Sequence, residues 1–532
     1  MLFSVLLKIA IFKCSVPFSL YRIGQAPTAE ALAPAGSSRS FLWATTSLSI
    51  ANPNRRRLRN FSAPSIRLHS IHSQHSEGTQ SRYQLNHAGA SPSPPEVTAR
   101  VVEHMQLEER IGGYAAAATV QEELQQVYKS VADLIHASSP NEIALTESAT
   151  VSWTRAFYAL AQKKLKESND YNPNTKNEEL FILTCDAEYA ANLVAMSQWA
   201  RDWGWRVVSI PSKQVHGKST GIVDLEALDK ILSGKFEVTV GDDGRTQRLD
   251  PERIAMACIT HIPTNSGIVN PVEAIGEKIS SFNQDRYEIN NGDQNLSDLY
   301  YLVDACQSTG QRDVDVSKIH CHALVATGRK YLRGPRGTGF LYINASLLDA
   351  GLLPDHIDHY GVPVQKVPDE MSSAATIEDV LEFKARTGAM RFEFWESNVA
   401  NRLGLGKAVD FARRVGIKGI QDDCERLSKI LRERLRTMDA VELYHDSVTT
   451  CAIVTFLVKG WDSLDVKGCL QKRGFELSVV PATSTPLDSS RTRTPDLLRA
   501  SISYTTTVDE IELFCRELSK LILYNFRQKK AQ

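Results

Sequence analysis

Residues 301–344 read YLVDACQSTGQRDVDVSKIHCHALVATGRKYLRGPRGTGFLYIN and contain two apolar runs that each lead into polar side chains. The first run ends at Asp304, and the second, HALVATG, is followed directly by Arg329 and Lys330. Open α/β proteins bind their ligands at the carboxyl edge of the sheet, where the strands end. We therefore expect a buried acid and a positive patch to meet at that edge.

Short apolar runs alternate with helical stretches along most of the chain. The runs that read as buried strands are LFILTCD, RVVSIP, RIAMACITHIP, YYLVDACQ, HALVATG and TGFLYIN. Such alternation predicts an α/β fold with a mainly parallel sheet that helices cover on both faces. Three polar segments, 169–179, 241–250 and 283–298, read as surface insertions.

The chain of 532 residues exceeds what one hydrophobic core usually organises, so we expect two domains after an N-terminal extension. Residues 83–375 form the predicted large domain, which begins with an arm and an amphipathic helix that is broken near Gly112 and Gly113. Residues 376–532 form a predicted smaller α+β domain. Its predicted elements are helices at 398–415 and 419–438, the strands CAIVTFLVK and LRASISY, and a closing helix after Asp509.

Residues 1–82 differ in composition from the rest of the chain. They open with the apolar run MLFSVLLKIAIFKCSVPFSL and hold ten Lys or Arg against Glu30 and Glu77. An acid-poor, Arg- and Ser-rich extension is typical of a mitochondrial or plastid transit peptide, whereas the apolar run also fits a secretory signal. A disordered extension on a cytoplasmic protein is the further alternative, and the residues leave all three open.

Charge and cysteine content exclude several classes of protein. The net charge is −1, and because the first 82 residues carry +8, the body carries −9. A mildly acidic body offers no broad basic surface for nucleic acid. The leading apolar run is short and interrupted by Lys, unlike a membrane span. Nine scattered cysteines without a CxxC pair predict reduced thiols and no metal site.

The side chains expected at the sheet edge suit a particular cofactor. Pyridoxal 5'-phosphate (PLP) needs a lysine for its imine, an acid that keeps its ring nitrogen protonated, and donors for its phosphate. Lys330 and Asp304 are the candidates for the first two roles. The protonated ring acts as an electron sink, so an acid buried beside it is expected to contribute several kcal/mol.

Three motifs, VDACQ, the lysine segment ATGRK and GPRGTGFLY, together resemble the signature of the class V aminotransferase family. The resemblance extends from about Asn86 to Ile511 and implies the PLP-dependent transferase fold of type I, with a seven-stranded sheet. It implies that Lys330 carries the cofactor as a Schiff base, that Asp304 holds the ring nitrogen and that Gln307 donates to the phenolic oxygen. A lone strand-end Asp or Lys is more often a salt-bridge residue, and the threefold match favours the functional interpretation.

The resemblance also assigns residues to the phosphate of the cofactor. In TESATVSW, Ala149 and Thr150 match a turn in which backbone amides and a hydroxyl meet an anion at a helix N-terminus. The alternative for Thr150 is a helix cap. Thr327 and Arg329 match two further phosphate contacts, since a guanidinium can bind a dianion through two hydrogen bonds. The alternative for Arg329 is an inter-strand salt bridge.

Other matches concern the ring of the cofactor. Tyr189 in DAEYAANLVAMSQWA matches the E-(H/Y)-x-x-N element, whose aromatic ring stacks on the pyridine, and the alternative is core packing. In HIPTNSGIVNP, Thr264 and Asn265 fall near the contact to the ring oxygen, and the sequence does not decide which of them points inward. His261 is assigned a structural role.

The last matches concern the substrate and a second subunit. Arg499 in LRASISYTTTVDEIE matches the arginine that binds the α-carboxylate of an amino-acid substrate, a role for which a planar guanidinium is suited. The alternative is an ordinary surface arginine on a strand. In the family the partner subunit closes the phosphate site, so Ser397 and Asn398 of WESNVAN imply a homodimer.

The cofactor does not fix the reaction, because one imine leads to transamination, racemisation, decarboxylation or elimination. Cysteine desulfurases of this family need a nucleophilic Cys shortly before the carboxylate arginine, and residues 479–499 contain none. Residues 391–409, RFEFWESNVANRLGLGKAV, resemble the branch that includes hercynylcysteine sulfoxide lyase of ergothioneine biosynthesis, which predicts carbon–sulfur cleavage. The alternatives are an aminotransferase, an isopenicillin N epimerase-like enzyme and a non-catalytic protein that keeps the fold.

Overall fold

The computed structural model describes residues 82–167, 179–240, 244–289, 298–366, 376, 381–445 and 451–531, with side chains as far as residue 524. The predicted leader therefore lies outside the described residues, apart from Arg82. The predicted boundary between the two domains, at residues 375 and 376, falls almost wholly outside them as well and stays a prediction.

The described residues form nineteen strands and fourteen α-helices. The strands are β1 Tyr83–Gln84, β2 Ile143–Thr146, β3 Phe181–Cys185, β4 Arg206–Ile210, β5 Ser212–Val215, β6 Lys218–Val223, β7 Glu237–Val240, β8 Arg245–Arg248, β9 Ile254–Thr260, β10 Tyr300–Asp304, β11 Ala323–Thr327, β12 Gly339–Ile343, β13 Val364–Lys366, β14 Glu382–Phe383, β15 Val441–Leu443, β16 Ile453–Val458, β17 Phe475–Glu476, β18 Ser478–Val480 and β19 Leu497–Ser501. The helices are α1 Pro95–Ile111, α2 Gly113–Thr119, α3 Gln121–Leu134, α4 Ala149–Glu167, α5 Ala190–Trp203, α6 Leu225–Leu232, α7 Val272–Ile289, α8 Val316–Ile319, α9 Ala345–Asp349, α10 Val399–Val415, α11 Ile417–Arg436, α12 Ser463–Gln471, α13 Pro486–Thr492 and α14 Val508–Ala531.

The central sheet has seven strands in the order β2-β12-β11-β10-β9-β3-β4 within the described part of the chain. Only β12 runs antiparallel to its neighbours, so the predicted mainly parallel α/β sheet is confirmed. The six apolar runs named from the sequence are β3, β4, β9, β10, β11 and β12. The four-residue β2 was not among them, because a run that short carries little periodicity.

Helices cover both faces of this sheet, which explains why its inner strands are apolar without alternation. Along β10, Val303 packs into one buried cluster, whereas its neighbour Leu302 packs into a second cluster. Every residue of β9, β10 and β11 is buried. The parallel strands therefore end at a common edge, where the residues that follow them supply the side chains.

Two of the polar segments predicted as surface insertions contain regular secondary structure. Arg245–Arg248 is strand β8, which pairs with β7 in an antiparallel hairpin, and residues 283–289 continue helix α7. Backbone hydrogen bonding within the hairpin and the helix outweighs the polar composition there. Residues 169–178, 241–243 and 290–297 lie outside the described residues.

A second sheet, antiparallel with the order β15-β16-β19-β18, lies in the C-terminal part of the chain. The N-terminal arm joins this sheet region, since β1 pairs with β17 and Asn86 forms a bridge to Ser501. The arm therefore runs from the C-terminal elements towards the edge of the large sheet. No helix among the described residues is long and apolar enough to cross a bilayer.

Candidate active site

A cavity of about 240 Å³ opens at the carboxyl edge of the large sheet. Ten of the thirteen residues predicted for the site line it. They are Ala149, Thr150, Tyr189, Thr264, Asp304, Gln307, Thr327, Arg329, Lys330 and Arg499. The topology explains this meeting, because β2, β9, β10 and β11 run parallel and their last residues lie at the same edge.

Lys330 follows β11 by three residues and projects into the cavity. Burial lowers the pKa of its ammonium group, and the negative charge of Asp304 opposes that effect only in part. A larger share of Lys330 is consequently in the neutral form that acts as a nucleophile or a base.

Asp304 is the last residue of β10, and its carboxylate is held at both oxygens. The backbone N–H of Cys306 donates to Oδ1 at 2.9 Å, and the side-chain amide of Asn192 donates to Oδ2 at 3.0 Å. The side chain is buried yet lines the cavity. The carboxylate of Asp304 is therefore held in one orientation before a ligand binds.

Gln307 carries an unused hydrogen-bonding atom beside the cavity. Its Nε2 donates to the carbonyl of Ala88 at 3.2 Å and to Thr264 Oγ1 at 3.4 Å, while its buried Oε1 has no partner. Buried polar atoms are almost always paired. The amide therefore has capacity left for a polar ligand.

The turn between β2 and α4 contributes the helix N-terminus predicted for phosphate. Ser148 precedes the helix and its hydroxyl accepts from Val151 N at 3.2 Å, so the amides of Ala149 and Thr150 are the first of the helix. Gly339 on β12 lies against this turn, because a Cβ there would meet the carbonyl carbon of Ser148 at 2.7 Å. The close approach brings the turn to the edge of the sheet.

Two further side chains predicted for the phosphate line the same cavity. Thr327 is buried, and its hydroxyl donates to the carbonyl of Thr338 at 3.2 Å. The guanidinium of Arg329 donates to the carbonyl of Gly89 in the N-terminal arm. Arg329 has no ion pair among the residues that the structure describes, so the inter-strand salt bridge considered for it is not formed there.

Tyr189 also lines the cavity and lies immediately before α5. Its side chain is 40% exposed, which places the ring at the mouth of the cavity and not within the core. An exposed flat ring beside a buried acid is the arrangement expected for stacking on an aromatic ligand.

Thr264 and Asn265 have different surroundings in the structure. Thr264 lines the cavity, and its hydroxyl accepts from Arg499 Nη1 at 2.7 Å. Asn265 lies outside the lining and donates from Nδ2 to the carbonyl of Pro481 at 2.8 Å. His261 is buried, and burial lowers the pKa of its ring to about 3, in keeping with a structural role.

Ser397 and Asn398 do not line the cavity of their own chain. Asn398 caps α10, where its side chain accepts from the N–H of Asn401 at 2.8 Å. Their assignment to the site of a partner subunit stays a prediction.

Arg499 lies on β19 opposite Ser478 and is buried. Its guanidinium donates to Ser478 Oγ at 3.1 Å, to the carbonyl of Thr264 at 3.2 Å and to Asn86 Oδ1 at 3.4 Å, all of them uncharged. Burial lowers the pKa of Arg499 to about 10. A buried cation that no carboxylate neutralises among the described residues is suited to an anionic ligand.

The sequence-based prediction missed Glu188 and seven residues that line the cavity, namely Ala88, Gly89, Ser148, Asn192, Thr260, Ile262 and Cys306. Glu188 and Asn192 lie behind Asp304 in one hydrogen-bonded chain, and Cys306 lines the cavity beside Lys330. The signal for the first two was present in the element E-Y-x-x-N, of which only the tyrosine was assigned. Cys306 had no signal, because a cysteine after a strand is most often a small buried residue.

The chain matches a family whose description agrees with this geometry. Residues 83–241 and 243–514 match the family described as Aminotransferase class-V. The chain belongs to this family. Relatives of this class V enzyme include a cysteine desulfurase from Wigglesworthia glossinidia brevipalpis, 24% identical over 445 residues, which are 82% of this chain and 92% of the relative. A probable cysteine desulfurase from Methanothermobacter thermautotrophicus is 26% identical over 383 residues, 69% of this chain and 86% of the relative.

Solved structures share the fold of the class V enzyme. The apo structure of cysteine desulfurase from Thermococcus onnurineus NA1 has a TM-score of 0.66 at 20% identity and covers 83% of this chain and 94% of that chain. The cystine C-S lyase C-DES, in complex with its reaction product cysteine persulfide, has a TM-score of 0.61 at 18% identity. The match covers 82% of this chain and 97% of that chain. These structures show the fold, and the finer resemblance to hercynylcysteine sulfoxide lyase stays a prediction.

The class V enzyme depends on PLP, and the cavity fits that cofactor. The buried Asp304, the amine of Lys330 and the helix N-terminus at Ala149 supply the acid, the amine and the anion-binding amides that PLP requires, and Gln307 lines the same cavity. When bound, the cofactor supplies an electron sink for cleavage of a bond to the α-carbon of an amino acid.

The roles predicted from the sequence for the residues around the cofactor are compatible with this cavity and stay predictions. With PLP bound, Asp304 would keep the ring nitrogen protonated and Tyr189 would limit the tilt of the ring. Lys330, with its lowered pKa, would take and return a proton at the α-carbon. Arg499 would hold the substrate carboxylate and so fix the α-carbon near that amine.

Proposed function

We propose that the class V enzyme is a carbon–sulfur lyase that acts on cysteine carrying a substituent on its sulfur. The single observation behind this proposal is the segment between β18 and β19. Residues 481–496 contain no cysteine, and they fold into a turn at Ala482–Ser484 and helix α13. A persulfide-forming desulfurase needs a thiol at this place, whereas a lyase needs none.

This segment is also docked against the large sheet. The carboxylate of Asp186, just after β3, accepts from Arg491 of α13 and from Ser212 Oγ at 2.7 Å. The N–H of Asp488 donates to the carbonyl of Asp186 at 2.9 Å. A segment fixed in this way is unsuited to carry a persulfide to an acceptor.

Cys306 is a poor substitute for a catalytic thiol. It lines the cavity, but burial and then the charge of Asp304 raise the pKa of its thiol well above the ordinary value. The thiolate is the nucleophilic form, so a raised pKa disfavours Cys306 as a nucleophile.

The reaction proposed here balances with water alone. Lys330 removes the α-proton, the bond between the β-carbon and sulfur breaks, and the sulfur leaves with the electron pair and takes up a proton. Water then releases the three-carbon remainder as pyruvate and ammonium. The elimination requires the α-proton to face Lys330, which is what Arg499 secures by holding the carboxylate.

The test is a product assay on the PLP-loaded protein with S-substituted cysteines, their sulfoxides and hercynylcysteine sulfoxide. We expect pyruvate and ammonium in equal amounts, loss of both in Lys330→Ala, and no loss in Lys429→Ala, which alters an exposed lysine. Alanine with sulfide from free cysteine would overturn the lyase in favour of a desulfurase. Amino-group transfer to an added keto acid without pyruvate would overturn it in favour of an aminotransferase.

We also propose that the enzyme acts as a homodimer. Tyr114 is 78% exposed and packs edge-on against Trp395, which is 51% exposed and precedes Ser397 by two residues. Met105, at 58%, and Ile111, at 47%, extend the exposed apolar surface on α1. Large exposed aromatic and aliphatic side chains typify contact surfaces, and a second copy there would bring Ser397 and Asn398 towards the partner's cavity.

Residues 1–82 are proposed to act as an organelle-targeting sequence. Their composition, ten basic against two acidic residues, supports this interpretation. The test is the location of a fluorescent protein fused after residue 82, compared with the same protein fused to residues 83–532. A fusion that stays in the cytoplasm would overturn the proposal.

A further inference from the structure

Glu188 is a buried carboxylate behind the active site with no cationic partner among the described residues. It is 1% exposed and sits just before the N-terminus of α5. Its oxygens accept hydrogen bonds from Thr260 N at 3.0 Å and from the hydroxyl of Thr260. A buried acid held by uncharged donors alone is costly to keep, so its position calls for a functional reason.

One bond from Glu188 leads to the predicted ring-nitrogen acid. Asn192 Nδ2 donates to Glu188 Oε1 at 2.8 Å and to Asp304 Oδ2 at 3.0 Å. Both partners are acceptors at these atoms, so the amide of Asn192 has a single orientation that satisfies both. Glu188 thereby fixes the side chain that in turn fixes Asp304.

A second bond from the same carboxylate leads to the predicted ring-stacking residue. The backbone N–H of Tyr189 donates to Glu188 Oε1 at 2.9 Å. The residue predicted for the edge of the cofactor ring, Asp304, and the residue predicted for its face, Tyr189, are therefore both connected to Glu188.

We propose that Glu188 is a positioning residue for the cofactor: it orients Asp304 through Asn192, holds Tyr189 through the backbone, and adds negative charge behind the ring nitrogen. It does not touch the cofactor or substrate, and the proposal is independent of whether the reaction is elimination or amino-group transfer.

The groups around Glu188 are compatible with a charge on its carboxylate that changes with pH. Asp304 faces it from β10, with Lys330 and Cys306 beyond, and the thiols of Cys185 on β3 and Cys258 on β9 lie close and neutral, because burial raises their pKa. Burial, reinforced by the charge of Asp304, raises the pKa of Glu188 itself to about 7. The negative charge behind the ring is therefore formed near neutral pH.

The test compares Glu188→Gln with the wild type as PLP-loaded full chains. Removing a negative charge near a protonated ring disfavours protonated forms, so we expect the pH midpoint of the visible cofactor absorption to fall by about one unit. We expect the apparent dissociation constant for PLP to rise about tenfold, as for other outer partners of a bound group.

Two further variants separate positioning from stability. Glu142→Gln alters a buried carboxylate that precedes β2 at the sheet edge opposite the cavity, and it should leave the pH midpoint unchanged even where thermal stability falls. Asn192→Ala should weaken PLP binding by a similar factor, and Glu188→Gln combined with Asn192→Ala should be no worse than the more damaging single change.

An unchanged pH midpoint and PLP affinity in Glu188→Gln, with only a lower melting temperature, would overturn the proposal. If Glu188→Gln does not fold, Asn192→Ala decides on PLP affinity alone, since it breaks the bridge to Asp304 and keeps the charge of Glu188. Failure of the lyase assay would leave these spectroscopic outcomes untouched, so the two proposals fail independently.

Discussion

At the residue scale, the enzyme places ionisable groups where folding alone would not. Lys330, Glu188 and Arg499 are each set in surroundings that disfavour their charged form. Such positions cost stability and are characteristic of functional sites. Replacing such a side chain should therefore reveal its cost as a change in the free energy of unfolding.

Lys330→Met is expected to abolish the visible absorption of bound PLP and to stabilise the cofactor-free protein by about 1 kcal/mol, because an apolar side chain replaces a partly desolvated ammonium. Urea unfolding of the two cofactor-free proteins measures the difference. A less stable Lys330→Met protein would contradict the view that this amine is held at a cost.

The pH dependence of Glu188 gives a second prediction at this scale. Its folded pKa is about 7 against an ordinary 4.5, so the folded state holds the proton more tightly, and this contribution to stability is lost as pH rises from 4.5 to 7. Glutamine does not titrate, so the stability of the Glu188→Gln variant does not include this pH-dependent contribution. The destabilisation caused by Glu188→Gln in the cofactor-free protein should therefore be about 2–3 kcal/mol smaller at pH 8 than at pH 5. Equal values at both pH would contradict the raised pKa.

At the scale of elements, close packing and one buried ion pair hold the site in place. Glu393, fully buried, accepts from Arg402 Nη1 at 2.8 Å, from Tyr128 Oη at 2.9 Å and from Leu145 N at 2.8 Å. This carboxylate thereby ties α3 and α10 to β2, the strand that leads into the helix N-terminus at Ala149.

Arg402→Met should destabilise the protein by about 3–5 kcal/mol, because it leaves Glu393 buried without its cation. Arg413→Met, on the same helix, breaks a partly exposed pair with Asp133 and should cost less than about 1 kcal/mol. Urea midpoints measure both changes, and similar losses for the two variants would refute the special role of the buried pair.

Gly339→Ala tests the contact between β12 and the turn before α4. The added Cβ would lie 2.9 Å from Ala149 N, so the turn must move, with a cost of about 1–3 kcal/mol and weaker PLP binding. Gly468→Ala in α12 meets no atom within 4 Å and should instead stabilise by about 0.5 kcal/mol. PLP titrations and thermal unfolding of the two variants distinguish a packing effect from a general effect of alanine.

At the scale of the whole molecule, the predicted dimer makes each site depend on two chains. Co-refolded Lys330→Ala and Ser397→Asp subunits should regain activity that neither variant has alone, since a mixed dimer contains one site with Lys330 from one chain and Ser397 from the other. Random pairing predicts about a quarter of the wild-type activity. No recovery, or a monomer in sedimentation, would contradict composite sites.

Much of the molecule was predictable from local patterns in the sequence. Apolar runs specified six of the seven strands of the sheet, since strands covered on both faces need apolar residues at every position. Strand-end residues such as Asp304 and Lys330 were predictable because parallel strands bring their carboxyl ends to one edge. The choice between Thr264 and Asn265 was not, because adjacent residues in a loop point in directions set by what packs on them.

The sequence by itself therefore determined the α/β fold, the family resemblance and the chemical groups at the sheet edge, all of which depend on residue type and short-range order. Only the tertiary structure decided which groups share a proton or a hydrogen bond. Glu188 and Asp304 are far apart in the chain, and the bridge through Asn192 exists because β3 and β10 flank β9 in one sheet. Contacts between distant strands depend on the order of the sheet, which no local pattern specifies.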